Sequence, residues 1–228
     1  MVSFAIDPPS IPVVPIAGSE AVFPVHRIYC VGKNYAAHIR EMGGTPGREP
    51  PCFFMKPADA IVTSGQVPYP SATANYHYEA ELVIALGRAG TNIPRHEALA
   101  HVYAYAVGLD MTRRDLQTAA ARVGLPWDTG KGFDHSAPIS ALHRVSESGH
   151  FSSGALRLHV NGELRQDADL SELIWKNDEI IAELSRYYDL QAGDLIYTGT
   201  PAGVGAVVRG DVLEASVENL DQLRVTIV

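Results

Sequence analysis

Residues 77–86 of this 228-residue chain read His77-Tyr78-Glu79-Ala80-Glu81-Leu82-Val83-Ile84-Ala85-Leu86. The apolar run at the end of this segment predicts a buried β-strand. Because a strand sends side chains two positions apart to the same face, Glu79 and Glu81 are expected to lie side by side. Two adjacent buried carboxylates repel each other and are costly to desolvate. A divalent cation that prefers oxygen ligands relieves both problems.

Asp110 supplies a third carboxylate, at the end of a second strand-like run at residues 104–109. Three carboxylates favour Mg²⁺ or Mn²⁺, one ion per chain, because zinc prefers His and Cys ligands. A Glu-x-Glu pattern is also common on solvated strand edges, where Asp110 would only cap its strand. These residues alone leave both interpretations open.

The bulk composition is that of a globular protein, with 46% hydrophobic and 19% charged residues, which argues against disorder. The net charge of −8 argues against nucleic acid as a partner. No segment resembles a signal peptide or a membrane span. Cys30 and Cys52 lie in or beside apolar runs, as expected of reduced, buried thiols. We therefore expect a cytoplasmic protein that acts on a small molecule and has no membrane partner.

The composition of the chain changes near residue 25. Residues 1–24 contain five prolines and predict an extended arm that lies along the body or a partner subunit. Residues 25–228 contain no evident linker and predict a single catalytic domain. Short strands outnumber helices, which favours a β-rich α+β fold over alternating β/α units. Strands are predicted at residues 27–32, 52–55, 60–62, 79–86, 103–109, 156–160, 194–197, 212–217 and 223–228, helices at residues 35–42, 116–123 and 174–188, and a hairpin turn at Asn161-Gly162.

His38 and Glu41 lie three positions apart on the first predicted helix, so their side chains share a face. Asn34 is placed to cap that helix. A carboxylate that orients an imidazole is the arrangement of a general base for water, although most such pairs on helices are exposed and have no role. Residues 43–51, with three glycines and three prolines, follow directly and predict a mobile lid that excludes water from a site.

Three further segments contain side chains suited to binding an anion. Arg114 can hold a carboxylate with two parallel hydrogen bonds beside Gln117. The same segment can be the polar start of a helix, and the two interpretations are compatible. Lys131 lies between two glycines and can neutralise an enolate, or it is an ordinary surface lysine in a turn. Residues 198–205 lack the Gly-Lys-Ser/Thr ending of a phosphate loop. They favour a backbone nest for a carboxylate, with Thr200 as a donor.

Taken together, these motifs resemble the fumarylacetoacetate hydrolase family in its short, single-domain form. They occur in the family's order and cover the chain from about residue 27 to the end. One departure is Arg113, where many members of the family have a small residue. The matching segments are residues 32–38, 56–57, 77–82, 110–117, 131–134, 160–163 and 193–205.

The resemblance implies a mixed β-sandwich roll, usually assembled as a homodimer, and one divalent ion per chain. It also assigns roles to individual residues. Those roles are metal binding by Glu79, Glu81 and Asp110, activation of water by His38 and Glu41, catalysis by Lys131, and contact with a 2-oxo acid by Arg114, Gln117 and Thr200.

The activity that the resemblance implies is hydrolysis of a C–C bond in an acylpyruvate. Fumarylpyruvate, cleaved to fumarate and pyruvate in aromatic (gentisate) catabolism, is the leading expectation. Two other kinds of function stay open. One is a decarboxylase, tautomerase or isomerase of a related 2-oxo acid such as oxaloacetate, and the other is a metabolite-binding protein without activity. The candidates for binding the far end of the substrate are Arg40, Arg48 and Tyr29.

Overall fold

The fold is that of a computed structural model, which describes residues 4–228. Short strands dominate it, which confirms the predicted β-rich α+β class. The strands are β1 Val13–Pro15, β2 Val22–Pro24, β3 Arg27–Gly32, β4 Cys52–Lys56, β5 Ile61–Val62, β6 Gln66–Val67, β7 Tyr76–Tyr78, β8 Ala80–Leu86, β9 Val102–Leu109, β10 Thr112–Arg113, β11 Ala137–Pro138, β12 His143–Arg144, β13 Ala155–Val160, β14 Glu163–Asp169, β15 Asp194–Tyr197, β16 Gly205–Ala206, β17 Val212–Val217 and β18 Leu223–Ile227. The α-helices are α1 Ala36–Glu41, α2 Arg95–Ala98, α3 Arg114–Arg122, α4 Asp128–Lys131, α5 Val145–Ser148 and α6 Asn177–Leu184, with 3₁₀ helices at Ala58–Ala60, Leu99–His101 and Leu170–Glu172. Within residues 4–228, no helix has both the length and the apolar character needed to cross a membrane.

The larger sheet has six strands in the order β12-β9-β8-β15-β3-β4. Strand β8 is antiparallel to both neighbours, and all of its residues are buried. The strand geometry explains this burial, because successive side chains point to opposite faces of the sheet and each face is covered by its own hydrophobic core. Leu82 and Ile84 pack into one hydrophobic core, and Val83 and Ala85 pack into another. A strand that is apolar on both faces therefore lies between two packed layers.

The smaller sheet has five strands in the order β14-β13-β17-β18-β6. Leu158 and Leu213 from this sheet pack in the same hydrophobic core as Leu82. Helix α6 adds Ile180 to that core. The two sheets thus share one apolar interior, and the smaller sheet and α6 cover one face of the larger sheet.

The hairpin of β1 and β2 packs on the opposite face of the larger sheet. Val14, Phe23 and Val25 are buried in the same core as Val83. Residues 13–24 of the predicted extended arm therefore form a hairpin instead of an extended segment. Burial of its apolar side chains against the larger sheet favours this arrangement. Residues 1–3 of that arm lie outside the described residues. The division into an arm at residues 1–24 and a catalytic domain at residues 25–228 stays a prediction.

Asn34 explains two differences between the predicted and observed helices. It does not cap α1, whose N-cap residue is Tyr35 without a side-chain hydrogen bond. Instead Asn34 Nδ2 donates to Thr198 O at 2.7 Å and to Trp175 O at 3.0 Å. Ile174 N and Trp175 N donate to Asn34 O and Oδ1, so this segment is held against Asn34 and α6 begins only at Asn177.

Two predictions made from short stretches of sequence, the strand at residues 79–86 and the hairpin at residues 161–162, can be compared with the observed strands. The predicted strand at residues 79–86 begins one residue late, because Glu79 separates β7 from β8. The predicted hairpin at Asn161-Gly162 is confirmed, since it joins β13 to β14. Asn161 and Gly162 have φ values of 52° and 82°, the left-handed conformation that a tight two-residue turn requires.

Candidate active site

A cavity of about 560 Å³ brings together most of the side chains that the sequence predicts for the site. Residues from the end of β3, helix α1, the loop at residues 43–51 and helix α4 line it. Glu41 is the one predicted site residue that does not line the cavity, and it contacts His38 from behind. The predicted residues that line it are His38, Glu79, Glu81, Asp110, Arg114, Gln117, Lys131 and Thr200.

Glu79, Glu81 and Asp110 converge in this cavity. All three are buried, and one oxygen of each lies within 4.8 Å of the others. Strand pairing explains the convergence: β8 and β9 are antiparallel with Glu81 opposite Gly108, so the start of one meets the end of the other. Asp110 N donates to Glu79 O at 2.8 Å across the same junction. The role of the three carboxylates as metal ligands stays a prediction.

Three buried cations surround these carboxylates. Lys131 Nζ donates to Glu79 Oε2 and to Asp110 Oδ2, each at 2.7 Å. Arg114 Nη2 donates to Glu79 Oε1. Lys56 Nζ lies 2.8 Å from Asp110 Oδ1. Negative and positive groups therefore balance in the cluster, and a bound divalent ion would add positive charge that favours an anionic ligand.

The two glutamates of the cluster have opposite pKa shifts. Burial is the largest single effect on Glu79 and would raise its pKa, but the positive charges of Lys131 and Arg114 together outweigh burial and hold that pKa well below its usual value. Burial raises the pKa of Glu81 well above its usual value, and the charges of Asp110 and Glu79 add to this. Within residues 4–228, Glu81 has no cationic side chain as an ion-pair partner and accepts a backbone hydrogen bond from Gly199 N at 2.7 Å. Glu81 is therefore the carboxylate whose charge depends most on a metal ion.

The donor set fits a divalent metal. Asp110 Oδ1 is buried and has no hydrogen-bond partner within residues 4–228, although Lys56 Nζ lies 2.8 Å away. A close ammonium without hydrogen-bond geometry balances the charge of this oxygen and leaves a lone pair for a second cation. Three carboxylates without His or Cys suit a hard ion of the Mg²⁺ or Mn²⁺ type. Glu79, Glu81 and Asp110 would hold that ion.

Helix α1 presents His38 to the cavity. His38 Nδ1 lies 3.1 Å from Glu41 Oε2, and Gly203 N donates to Glu41 Oε1 at 2.9 Å. Gly203 has a φ of 98°, and a Cβ there would lie 2.0 Å from Arg165 O, so only glycine brings this amide to Glu41. His38 is buried and lines the cavity. With Nδ1 facing Glu41, Nε2 is the nitrogen that can accept a proton from a water in the cavity.

The loop at residues 198–205 serves carboxylates of the protein itself. Gly199 N and Gly203 N donate to the side chains described above, so these amides are not available to a ligand as the predicted nest. Thr200 is nearly buried and lines the cavity. Gln166 Nε2 donates to Thr200 Oγ1 at 2.8 Å, which leaves the Thr200 hydroxyl proton free to be donated.

Lys131 is buried, so the alternative of an ordinary surface lysine is wrong. Arg114 begins helix α3, as the alternative for this segment held, and its side chain is nevertheless buried and lines the cavity. Arg114 Nη1 donates to Gln117 Oε1 at 2.7 Å, which leaves the Gln117 amide nitrogen free to donate. Lys131 ends helix α4 next to Gly130, where a Cβ would lie 2.7 Å from Gln117 N. Burial lowers the pKa of Lys131, but the neighbouring carboxylates raise it above its usual value, so Lys131 is a stable ammonium.

Lys56 and Gln166 belong to the site, and sequence reasoning gave neither of them a role. Lys56 lies in a segment that matches the family, which was the only available signal. Gln166 is the one fully buried residue of the largely exposed strand β14. Its Oε1 accepts a hydrogen bond from Ala80 N at 3.0 Å. Ala80 lies between the two glutamates, a contact that spans 86 residues of sequence.

The strand-rich sandwich, with three carboxylates and a His–Glu pair at one cavity, defines the class of protein. The family model for the fumarylacetoacetate (FAA) hydrolase C-terminal domain matches residues 27–228. The chain belongs to this family, and the resemblance seen in the sequence is confirmed.

Individual relatives carry names of two kinds. The fumarylpyruvate hydrolase of Ralstonia sp is 47% identical over 176 residues, which cover 77% of this chain and 91% of that protein. The mitochondrial oxaloacetate tautomerase FAHD1 of Rattus norvegicus is 42% identical over 198 residues, which cover 86% of this chain and 89% of that protein. The crystal structure of fumarylpyruvate hydrolase from Pseudomonas aeruginosa in complex with Mn²⁺ and pyruvate has 50% sequence identity to this chain. Its TM-score is 0.97, and 99% of each chain is covered.

Proposed function

We propose that this chain is a metal-dependent hydrolase that cleaves fumarylpyruvate to fumarate and pyruvate. The observation that carries the proposal is that His38, held by Glu41 at 3.1 Å, lines the same cavity as the three buried carboxylates. A protein that only binds a metabolite has no need of a base for water. Relatives named fumarylpyruvate hydrolase, at 47% and 50% identity, support the choice of substrate.

Glu79, Glu81 and Asp110 would hold one Mg²⁺ or Mn²⁺ ion. When bound, the ion supplies Lewis-acid polarisation of the carboxylate and 2-oxo oxygens of the substrate. The protein contributes donors around the same end of the substrate. Gln117 has a free amide nitrogen and Thr200 a free hydroxyl proton, so both can donate to a carboxylate.

The proton transfers assign a role to each member of the pair. His38 Nε2 takes a proton from water, and Glu41 stabilises the imidazolium that forms. The water oxygen attacks the carbonyl carbon of the acyl group, and the bond between that carbon and the pyruvate methylene breaks. The leaving group is the enolate of pyruvate, and the Lys131 ammonium is the nearby fixed positive charge that stabilises it. The enolate carbon then takes up a proton, so fumarate and pyruvate balance one substrate and one water.

A second candidate function is tautomerisation of oxaloacetate. It is favoured by relatives of that name, such as the protein from Rattus norvegicus at 42% identity. Tautomerisation moves a proton between carbon and oxygen, so it needs the metal, Lys131 and a base but no attacking water. The two functions differ in whether a C–C bond breaks.

We also propose a homodimer in the cytoplasm that works in the catabolism of aromatic compounds. The family resemblance supports the dimer and the pathway. The free cysteines Cys30 and Cys52 support a reducing compartment. Light scattering coupled to size-exclusion chromatography measures the assembly, and a mass of a single chain would contradict the dimer.

Rates with three substrates test the proposed activity. We expect kcat/KM for fumarylpyruvate to exceed that for acetylpyruvate, which lacks the distal carboxylate, by roughly thirtyfold if one charged group pairs with it. Hydrolysis of both should exceed decarboxylation of oxaloacetate. Equal turnover of acetylpyruvate, or faster conversion of oxaloacetate, would reject the substrate assignment and leave the metal site unaffected.

A further inference from the structure

The cationic side chains of the cavity differ in what they already bind. Besides His38, the positively charged residues that line it are Lys33, Arg114 and Lys131. Arg114 and Lys131 are hydrogen-bonded to carboxylates of the cluster. Lys33 has no ion-pair or hydrogen-bond partner for its side chain within residues 4–228. Of these three lining cations, it is therefore the one that is not paired with a carboxylate of the cluster.

The three residues that the sequence suggested for the far end of the substrate do not line the cavity. Arg40 is exposed on helix α1. Arg48 Nη2 donates to Glu179 Oε1 at 2.7 Å, and its guanidinium stacks on the Trp175 ring at 4.6 Å. Tyr29 is wholly buried in the main core. None of these three side chains is placed to bind the far end of a substrate in the cavity, so Lys33 is the remaining candidate.

The backbone at Lys33 fixes where its side chain starts. Lys33 directly follows strand β3 and has a φ of 59°, a conformation that residues with a side chain rarely adopt. Asn34 anchors the turn through its hydrogen bonds to Thr198 O and Trp175 O. Gly32, the residue before Lys33, pairs with Cys52 across β3 and β4, and Lys33 and Cys52 both line the cavity, so Lys33 starts beside the Cys52 wall.

That wall suits a flat unsaturated chain. Phe54 and Trp127 line it, with ring centroids 5.7 Å apart. Gly32 leaves room beside them, because a Cβ there would lie 3.3 Å from Trp127 Cζ3 and 3.6 Å from Cys52 Sγ. An apolar wall has no group that can compensate the charge of a carboxylate. A carboxylate at the far end of the chain needs a cation at the edge of this wall.

We propose that Lys33 pairs with the distal carboxylate of the substrate and makes the site selective for acylpyruvates with a charged far end. The proposal rests on the function proposed above. It adds the residue that distinguishes a dicarboxylate such as fumarylpyruvate from a monocarboxylate of the same shape.

Binding measurements test this role separately from catalysis. The ligands are fumarylpyruvate and crotonylpyruvate, which has a methyl group in place of the distal carboxylate. Calorimetry with Mn²⁺-loaded protein carrying His38→Ala gives the ratio of their dissociation constants. We expect Lys33→Met to reduce the preference for fumarylpyruvate about tenfold, the scale of a partly exposed charged hydrogen bond. Lys33→Arg should keep most of the preference, and Arg40→Met, on the exposed face of α1, should not change it.

The outcomes separate the two proposals. The role of Lys33 is overturned if Lys33→Met changes the preference for fumarylpyruvate by less than about twofold. It is also overturned if Arg40→Met reduces the preference as much as Lys33→Met does, or if neither ligand binds. If Lys33→Met reduces the preference but the protein with an intact His38 cleaves neither compound, Lys33 stands as a binding residue and the hydrolase function fails.

Discussion

At the scale of single residues, the site depends on how each buried carboxylate is compensated. Glu79 is bound by Lys131 and Arg114, and Asp110 by Lys131 with Lys56 close by. Among the residues that the structure describes, Glu81 has only the Gly199 amide as a hydrogen-bond partner, and burial together with its acidic neighbours raises its pKa. A buried carboxylate without a cation is costly, so a metal ion would change the energy of Glu81 the most.

We predict that Glu81→Gln lowers the affinity for Mn²⁺ by more than about 100-fold, because a neutral amide replaces a ligand of a divalent ion. Calorimetry with the metal-stripped protein measures this. The metal-free variant should unfold at or above the wild-type temperature, since the substitution removes repulsion with Asp110 and Glu79. Unchanged Mn²⁺ affinity would show that Glu81 is not a ligand.

His38→Ala should reduce kcat for fumarylpyruvate by roughly 100-fold or more while KM and Mn²⁺ affinity stay near the wild-type values. The reason is that, within residues 4–228, the His38 side chain hydrogen-bonds to Glu41 and to no carboxylate of the cluster, so its loss removes the base and leaves the hydrogen bonds of the cluster in place. Steady-state kinetics with saturating metal separates the two constants. A raised KM with unchanged kcat would make His38 a binding residue.

At the scale of elements, the β13–β14 hairpin delivers a positioning residue to the site. Gln166 Oε1 accepts from Ala80 N, so the amide orientation is fixed and Nε2 faces Thr200 Oγ1 and Pro201 O at 2.8 and 2.9 Å. Thr200 Oγ1 must then accept the hydrogen bond from Gln166 Nε2, so the hydroxyl proton of Thr200 points away from Gln166. The cavity, which Thr200 lines, is where that proton can be used.

Gln166→Glu places an acceptor where the donor was and should turn the Thr200 proton away from the substrate. We predict a KM increase of about tenfold with little change in kcat. Thr200→Val should have a similar effect, and the double variant should be little worse than either alone, because both remove one interaction. Additive effects on KM in this cycle would mean that Gln166 acts independently of Thr200.

Some helices, strands and turns can be predicted from the residues that form them, and other features of the structure cannot. Residues 82–86 predict their strand because an unbroken apolar run fits a sheet buried on both faces. Asn161-Gly162 predicts its hairpin because few residues tolerate the turn's backbone angles. Lys56 and Gln166 have no local signal, since their partners lie 54 and 86 residues away in the sequence. The cap predicted for Asn34 fails for the same reason: its side-chain oxygen, which a cap would need as the acceptor, accepts instead from the distant Trp175 N at 2.7 Å.

At the scale of the whole molecule, the loop at residues 43–51 joins the helix of His38 to the other side of the cavity. Trp175 Nε1 donates to Glu49 O at 3.1 Å, and Arg48 pairs with Glu179. These contacts lie mostly at the surface and are individually weak. We therefore expect the loop to open and close over the cavity while the two sheets stay fixed.

We predict that hydrogen exchange at the amides of residues 43–49 slows when oxalate, a mimic of the enolate, is added together with Mg²⁺. The closed loop would exclude water and protect these amides. Strand β17, which contributes no residue to the lining of the cavity, serves as the internal control and should exchange equally in both states. Unchanged exchange in the loop would argue against closure on the ligand.

The most direct test of the account is the product balance of the metal-stripped enzyme during titration with Mn²⁺. With fumarylpyruvate as substrate, we expect no cleavage without metal. Fumarate and pyruvate should then appear in equal amounts as Mn²⁺ is added, with activity reaching its maximum near one ion per chain. Cleavage that persists after complete removal of the metal would contradict the account. So would a metal-loaded protein that converts oxaloacetate but releases no fumarate from fumarylpyruvate.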